Sequence, residues 1–326
     1  MTVCIAALLA AVLAALCLGA FPITPSQVFG ELFGQLSDQK TVHTVIFNIR
    51  LPRVAMSIIA GAGLAAAGAA FQSLFANPLA SPDTLGTANG AGFGAVLGIL
   101  LGFSTLGLQL TGLLFGILAV LLVFLVTGGM KERMRGSMVT LILAGLVISS
   151  LFSALISLVK YTADPQDVLP VITFWLMGRF SSVTTSQLLT AAPFILAGIL
   201  IIFLFRNRLN AVSLSEEEAR SLGVHIKPAR MILILASSMI TASVVSTCGV
   251  IGWVGLLIPH IARMLLGNDN RRVVPASIVM GGLFLLIMDT IARCATASEI
   301  PVSILTAILG APIFILILRK TGGIHS

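Results

Sequence analysis

Charge is the scarcest property of this 326-residue chain: Asp, Glu, Lys and Arg make up 10% of it, against 57% for the apolar set. A water-soluble domain carries about 25% charged residues, so the chain lacks the polar surface to face water on all sides. Cysteine is also rare. Cys4, Cys17, Cys248 and Cys294 are scattered through apolar stretches, with no C-x-x-C pair and no His/Cys group at zinc spacing. A disulfide scaffold and a structural metal site are thereby excluded. No G-x-x-x-x-G-K-[ST] loop is present, so the chain does not hydrolyse ATP by that route. His43, His225, His260 and His325 lie in separate segments, which leaves no convergent catalytic set. The 19 basic residues are spread over the whole length, and form no nucleic-acid footprint.

What is present is apolar sequence in long runs, with a mean hydropathy of +1.08. One bilayer crossing needs about 20 apolar residues. Uncharged or nearly uncharged intervals at 1–30, 54–82, 136–159, 180–205, 273–292 and 300–318 hold one crossing each. The interval 84–130 holds two, with a turn near Gly102–Gly107. The N-terminal run has no positive n-region and no clear cleavage site, and reads as a first span rather than a leader.

The interval 231–262 is long for one helix and short for two, and charge decides it. Cytoplasmic loops collect Lys and Arg. Two crossings put 13 basic residues inside and six outside, with both termini in the cytoplasm. The expectation is an all-α, polytopic membrane protein of about ten transmembrane helices, forming one domain over 1–326.

Two segments break the helical pattern. One runs Ala76-Asn-Pro-Leu-Ala-Ser-Pro-Asp-Thr-Leu-Gly86, the other Gly249-Val-Ile-Gly-Trp-Val-Gly-Leu-Leu-Ile-Pro-His260. Irregular backbone at membrane depth survives only where protein buries it or a wet cavity adjoins it. Paired interruptions in the two halves of a transporter mark its pathway; polar loops at the cytoplasmic surface are the alternative. Gly61, Ala65 and Ala69 repeat every fourth residue, so the second span lets neighbours approach closely and sits centrally.

The six outer cations are Lys40, Arg50, Arg53, Lys160, Arg179 and Arg293. Pro52 suits the first turn of a helix, which places Arg50 and Arg53 where the second span begins. Helix dipole and charge bias both oppose cations there, so anionic headgroups or an acidic partner must offset them. Asp289, the one carboxylate well inside a span, lies four residues before Arg293 and reads as its i,i+4 partner. Between spans six and seven, Ser215 and Glu218 form a capping box and Gly223 a stop. A two-turn exposed cytoplasmic helix is expected there.

These motifs in order resemble the FecCD-type permeases of ABC importers, which include cobalamin, ferric siderophore and haem permeases. The resemblance rests on Arg50-Leu-Pro-Arg53, Gly61-Ala-Gly63 through Gln72, Asn77-Pro-Leu-Ala-Ser-Pro82, Asn89-Gly-Ala-Gly92, the 216–223 loop, Gly255-Leu-Leu-Ile-Pro-His260, Asp289 to Arg293, and Leu309-Gly-Ala-Pro312. It covers nearly the whole chain.

The resemblance implies a permease subunit in a bacterial or archaeal cytoplasmic (inner) membrane, paired with a second permease subunit as a homodimer or a close heterodimer. Two ABC ATPase subunits that bind ATP and Mg, and an extracytoplasmic substrate-binding protein, complete the assembly. This chain itself holds no cofactor and catalyses nothing. By similarity Arg50, Arg53 and Arg293 dock the binding protein. Ser215, Glu216, Glu217, Glu218, Ala219, Arg220, Leu222 and Gly223 form the helix that couples to the ATPase. Asn77 and Leu79, with Met138 and Val139, form a cytoplasmic gate. The expected cargo is a bulky metal chelate, a ferric siderophore foremost, with cobalamin, haem and oxyanions left open. An ion-coupled carrier acting without an ATPase is the alternative, although it ordinarily needs intramembrane carboxylates or polar ion sites.

Overall fold

A computed structural model describes residues 2–34, 40–128, 138–213, 226–296 and 298–320. Among these the chain is helical, without strands. In order the helices are α1 (Thr2–Cys17), α2 (Pro25–Leu32), α3 (Lys40–Leu74), α4 (Thr87–Leu100), α5 (Thr105–Val126), α6 (Met138–Thr162), α7 (Val168–Leu176), α8 (Thr185–Val212), α9 (Ile226–Cys248), α10 (Val254–Leu266), α11 (Asn270–Ala295) and α12 (Val302–Lys320). Six of them, α3, α5, α6, α8, α9 and α11, are long and apolar enough to cross a membrane. Four more, α1, α4, α10 and the Val302–Ile317 part of α12, are shorter apolar helices.

Both intervals read as holding two crossings divide where glycine permits. Gly102 takes φ +67° between α4 and α5, and Gly249 takes φ +76° between α9 and α10. Trp253 follows at φ +71°, an uncommon conformation for a bulky residue. The run 180–205 extends to a 28-residue helix that begins with a capping box on Thr184 and Gln187. The two small helices α2 and α7 have no counterpart among the spans expected from charge-free intervals.

Helix α3 differs from its expected form. It does not begin at Pro52 but at Lys40, and passes through a π-helical run at Val45–Arg50 before continuing from Leu51. The Leu51 N–H reaches back to the Ile46 carbonyl, five residues away. That wider turn takes up a proline which in an unbroken α-helix collides with the carbonyl of residue i−4. Arg50 and Arg53 are therefore inside a continuous helix, and no N-terminal dipole acts on them.

The expected central role of α3 holds. It packs on α11, α8, α9 and α10, and its small residues set the spacing. A Cβ at Gly61 would lie 2.2 Å from the Gly281 carbonyl oxygen of α11, and one at Gly68 would lie 1.8 Å from that of Gly255 in α10. Both are backbone contacts that no rotamer change relieves. Gly61→Ala and Gly68→Ala should each lower the unfolding midpoint of the purified protein, at a cost of about 1–3 kcal/mol. Gly252→Ala, which has nothing within 4 Å of its Cβ position, should stay close to wild type in the same thermal scan.

Candidate functional site

At one end of the bundle the first half of α3, the end of α11 and the end of α1 gather the arginines. Arg53 and Asp289 are both buried, 5% and 1% exposed. The Arg53 guanidinium donates from Nε to both Asp289 carboxylate oxygens, at 3.1 and 3.0 Å, and from Nη2 to Oδ1 at 2.9 Å. Its Nη1 donates to Glu299 Oε1 at 3.0 Å. Arg50, 3% exposed, donates to the carbonyls of Leu16, Cys17 and Phe21 at the end of α1 and beyond it. Arg293, half-buried, donates from Nη2 to the Ala15 carbonyl at 2.6 Å. A Cβ on Gly19 would touch both Arg50 and Arg293, so these two cations share one corner.

Two expectations change here. Asp289 takes its salt bridge with Arg53 across the helix interface rather than with Arg293 along α11. A bidentate, desolvated fork gives better geometry than an i,i+4 pair on one surface. Arg50 and Arg53 are also not surface cations, because carbonyls and carboxylates of their own chain enclose them. Glu299, in the left-handed region at φ +51°, was not singled out by any sequence pattern.

Deeper in the bundle the two irregular segments come together. Leu79, Ser81, Pro82 and Asp83 from the first, and Ile251 and Trp253 from the second, line one cavity of about 200 Å³. Leu64 of α3 and Thr241 of α9 close it. A capping box between Ser81 and Thr84 shapes the 3₁₀ turn Pro82–Leu85, and Gly86 leaves it at φ +76° into α4. The Asn77 side chain accepts the Leu79 N–H at 2.9 Å, which holds Leu79 outward with its side chain 51% exposed. Val139 stands exposed in the first turn of α6. Met138 begins that helix, but its side chain and all of 214–225, including Ser215, Glu216, Glu217, Glu218, Ala219, Arg220, Leu222 and Gly223, lie outside the described residues.

The end of α3 away from Arg53 carries a polar network that sequence reasoning did not find. Arg263 donates from Nη2 to the Ala69 carbonyl at 3.1 Å, to Ser73 Oγ at 2.8 Å and to Asn270 Oδ1 at 3.1 Å. Asn210 receives both Asn270 N–H groups, at 2.9 and 2.8 Å. Asp269 caps α11 by accepting the Arg271 N–H at 3.0 Å, and the Asn210 amide donates to it at 2.7 Å. Those two donors hold its carboxyl below the usual carboxylate range. A cleft of about 480 Å³ opens there beside Gln72, Asn77, His260 and Arg263. Nothing in the sequence signals these partners, which lie as far apart as 197 residues.

Among the described residues no group of three or more His, Cys, Asp or Glu side chains could hold a metal ion. Apolar helices around an irregular, polar-lined interior, with a charged cluster at one end and a hydrogen-bonded network at the other, define a membrane permease. The match to the FecCD transport family runs from residue 7 to residue 320. The chain is 43% identical over 284 residues to the molybdate import system permease protein of Haemophilus influenzae, covering 86% of this chain and 83% of that one. It is 36% identical over 281 residues to an iron chelatin transport system permease protein of Helicobacter pylori, covering 86% and 84%. A solved metal-chelate type ABC transporter in an inward-facing conformation superposes with a TM-score of 0.88 at 37% identity, covering 97% of each chain. The chain belongs to the FecCD transport family, as an ABC importer permease.

Breaking the buried pair from one side leaves an uncompensated charge. Arg53→Ala or Asp289→Ala should therefore destabilise the protein by about 3–5 kcal/mol in denaturant titration. Glu299→Ala, which removes a half-exposed partner, should cost less than about 1 kcal/mol. Replacing Arg53 and Asp289 together with leucine should recover most of the loss.

Proposed function

We propose that this chain is the membrane subunit of a binding-protein-dependent importer for a bulky metal chelate, a ferric siderophore foremost. In this reading ten helices cross the inner membrane, from the four shorter apolar helices and the six long ones. Both termini face the cytoplasm. Two copies pair around a shared passage, two ABC ATPase subunits bind ATP and Mg below them, and a substrate-binding protein docks above. The observation that carries the reading is the meeting of the 76–86 and 249–260 segments on one cavity. Broken helices at depth are tolerated only where protein or a wet cavity takes up their backbone groups.

The arginine cluster is the outer, docking face in this scheme. Of its three arginines, Arg293 is the one only half-buried, and it makes direct contact with a partner carboxylate. Arg50 and Arg53 support that face from beneath by fixing α1 and α11 against α3. At the cytoplasmic end, the segment 215–223 couples to the ATPase and transmits its closure. Leu79 and Asn77, with Met138 and Val139, form the gate that this movement opens, as the assembly shifts between outward- and inward-facing populations.

A second reading, import of a tetrahedral oxyanion, is favoured by the 43% identity to the Haemophilus molybdate permease. Reconstitution into liposomes with the cognate ATPase and binding protein separates the two. The chelate reading predicts ATP-dependent uptake of ferric siderophore and none of molybdate; the reverse result overturns it. Uptake by the permease alone under an ion gradient would instead establish a secondary carrier. In the same assembly Arg293→Glu should abolish binding-protein stimulation of ATP hydrolysis while leaving the ATPase bound; undiminished stimulation contradicts the docking role.

A further inference from the structure

Among the described residues, Asp83 is the one ionisable side chain lining the cavity where the two irregular segments meet. It lies in the Pro82–Leu85 turn, outside the spanning helices, and lines the cavity. Among the described contacts, no cation, hydroxyl or amide donates to that carboxylate. The groups beside it are the hydroxyls of Ser81 and Thr241, the indole of Trp253 and the aliphatic chains of Leu64, Leu79 and Ile251.

Among the described residues, the helices packed on the turn bring no compensating charge near it. Those helices are α3, α4, α5, α6 and α9. Helices α4 and α5 contain no ionisable residue. On α3 and α9 the nearest cations, Arg53 and Arg230, sit about three turns, or about 16 Å, along the axis from Leu64 and Thr241. Lys227 lies farther along α9, and Lys160 and Tyr161 occupy the far end of α6. The Cys248 thiol is buried at the end of α9. On α10, His260 and Arg263 line the separate polar cleft.

An unpaired carboxylate in a confined cavity favours ligands that supply positive charge or several N–H and O–H donors, and repels those that are anionic. We propose that Asp83 is a cargo-contacting residue, which makes this cavity a binding site for cationic or donor-rich metal complexes and selects against bare oxyanions. The proposal rests on the reading of this cavity as part of the passage and deepens it, because it names the class of cargo. Crowding by the surrounding protein raises the Asp83 carboxyl to about 6. Selection is therefore present above that pH, where the group is ionised, and is lost below it, where the group is neutral.

The test uses the full-length permease in lipid nanodiscs with Leu79→Cys as a reporter in the same cavity and Cys294→Ser to remove the exposed native thiol. Labelling by an uncharged maleimide is timed with and without hexaamminecobalt(III) or molybdate, at pH 5 and pH 8. Comparing rates with and without the ion at one pH cancels the ionisation of the thiol itself. At pH 8 hexaamminecobalt(III) should slow labelling at least about 5-fold, and molybdate should not. The protection should vanish at pH 5, and at both pH values in Asp83→Asn. Protection that survives Asp83→Asn, is missing at pH 8, or is given equally by molybdate overturns the proposal. The measurement needs neither ATP nor partner proteins, so its failure is distinguishable from a failure of chelate uptake in the reconstituted assembly.

Discussion

The structure depends on how closely α3 can approach its neighbours. At Gly61 the backbone meets that of Gly281, and at Gly68 that of Gly255, at separations that exclude even a methyl group. Association of helices in lipid gains little from the hydrophobic effect, because lipid tails are as apolar as the side chains. Close backbone contact supplies dispersion attraction instead. Here it has a second consequence: the Gly68–Gly255 contact seats the start of α10 directly against α3. The irregular strand of chain before α10 is thereby held beside the turn that follows α3, and the cavity between them exists because of that approach.

Charge is used sparingly, and mostly to lock elements together. Arg53 and Asp289 lie 236 residues apart and join α3 to α11 through a desolvated fork. Arg50 and Arg293 fasten the end of α1 by donating to the carbonyls of its last turn, Ala15, Leu16 and Cys17. At the other end Arg263 donates to the Ala69 carbonyl inside α3 and ties Ser73 to Asn270. Each end of the bundle is thus pinned by a guanidinium, with the two irregular segments between. Within the arginine cluster burial separates the members: Arg50 and Arg53 are enclosed by their own chain, while Arg293 is only half-buried.

Much of the fold was legible in the sequence. The charge-free intervals located the six long and four shorter apolar helices, and the glycine and proline clusters located both interruptions. The division of 231–262 followed from the placement of Arg263, Arg271 and Arg272, and α10 proved as short as the interval required. Helix α3 was misread at its start, because Pro52 is as compatible with a π-turn inside a helix as with a first turn. The site was less legible. The sequence marked both broken segments but left open whether they line a pathway or form polar surface loops, and their meeting on one cavity was visible only in the structure. The Arg53–Asp289 pair did not follow, since nothing local tells an i,i+4 partner from one on another helix. Glu299, Asn210 and Asn270 gave no signal, because single polar residues at helix ends acquire meaning only through contacts distant in sequence.

The central claim is that the Arg53 end of the bundle faces outward and the Gln72 end faces the cytoplasm. The most direct measurement places single cysteines at Glu299 and at Ser213, each exposed or partly exposed at opposite ends, and labels them with a membrane-impermeant maleimide. The account predicts that position 299 reacts in intact cells or spheroplasts while position 213 reacts only in inverted vesicles. Labelling of both positions from the same side would contradict it.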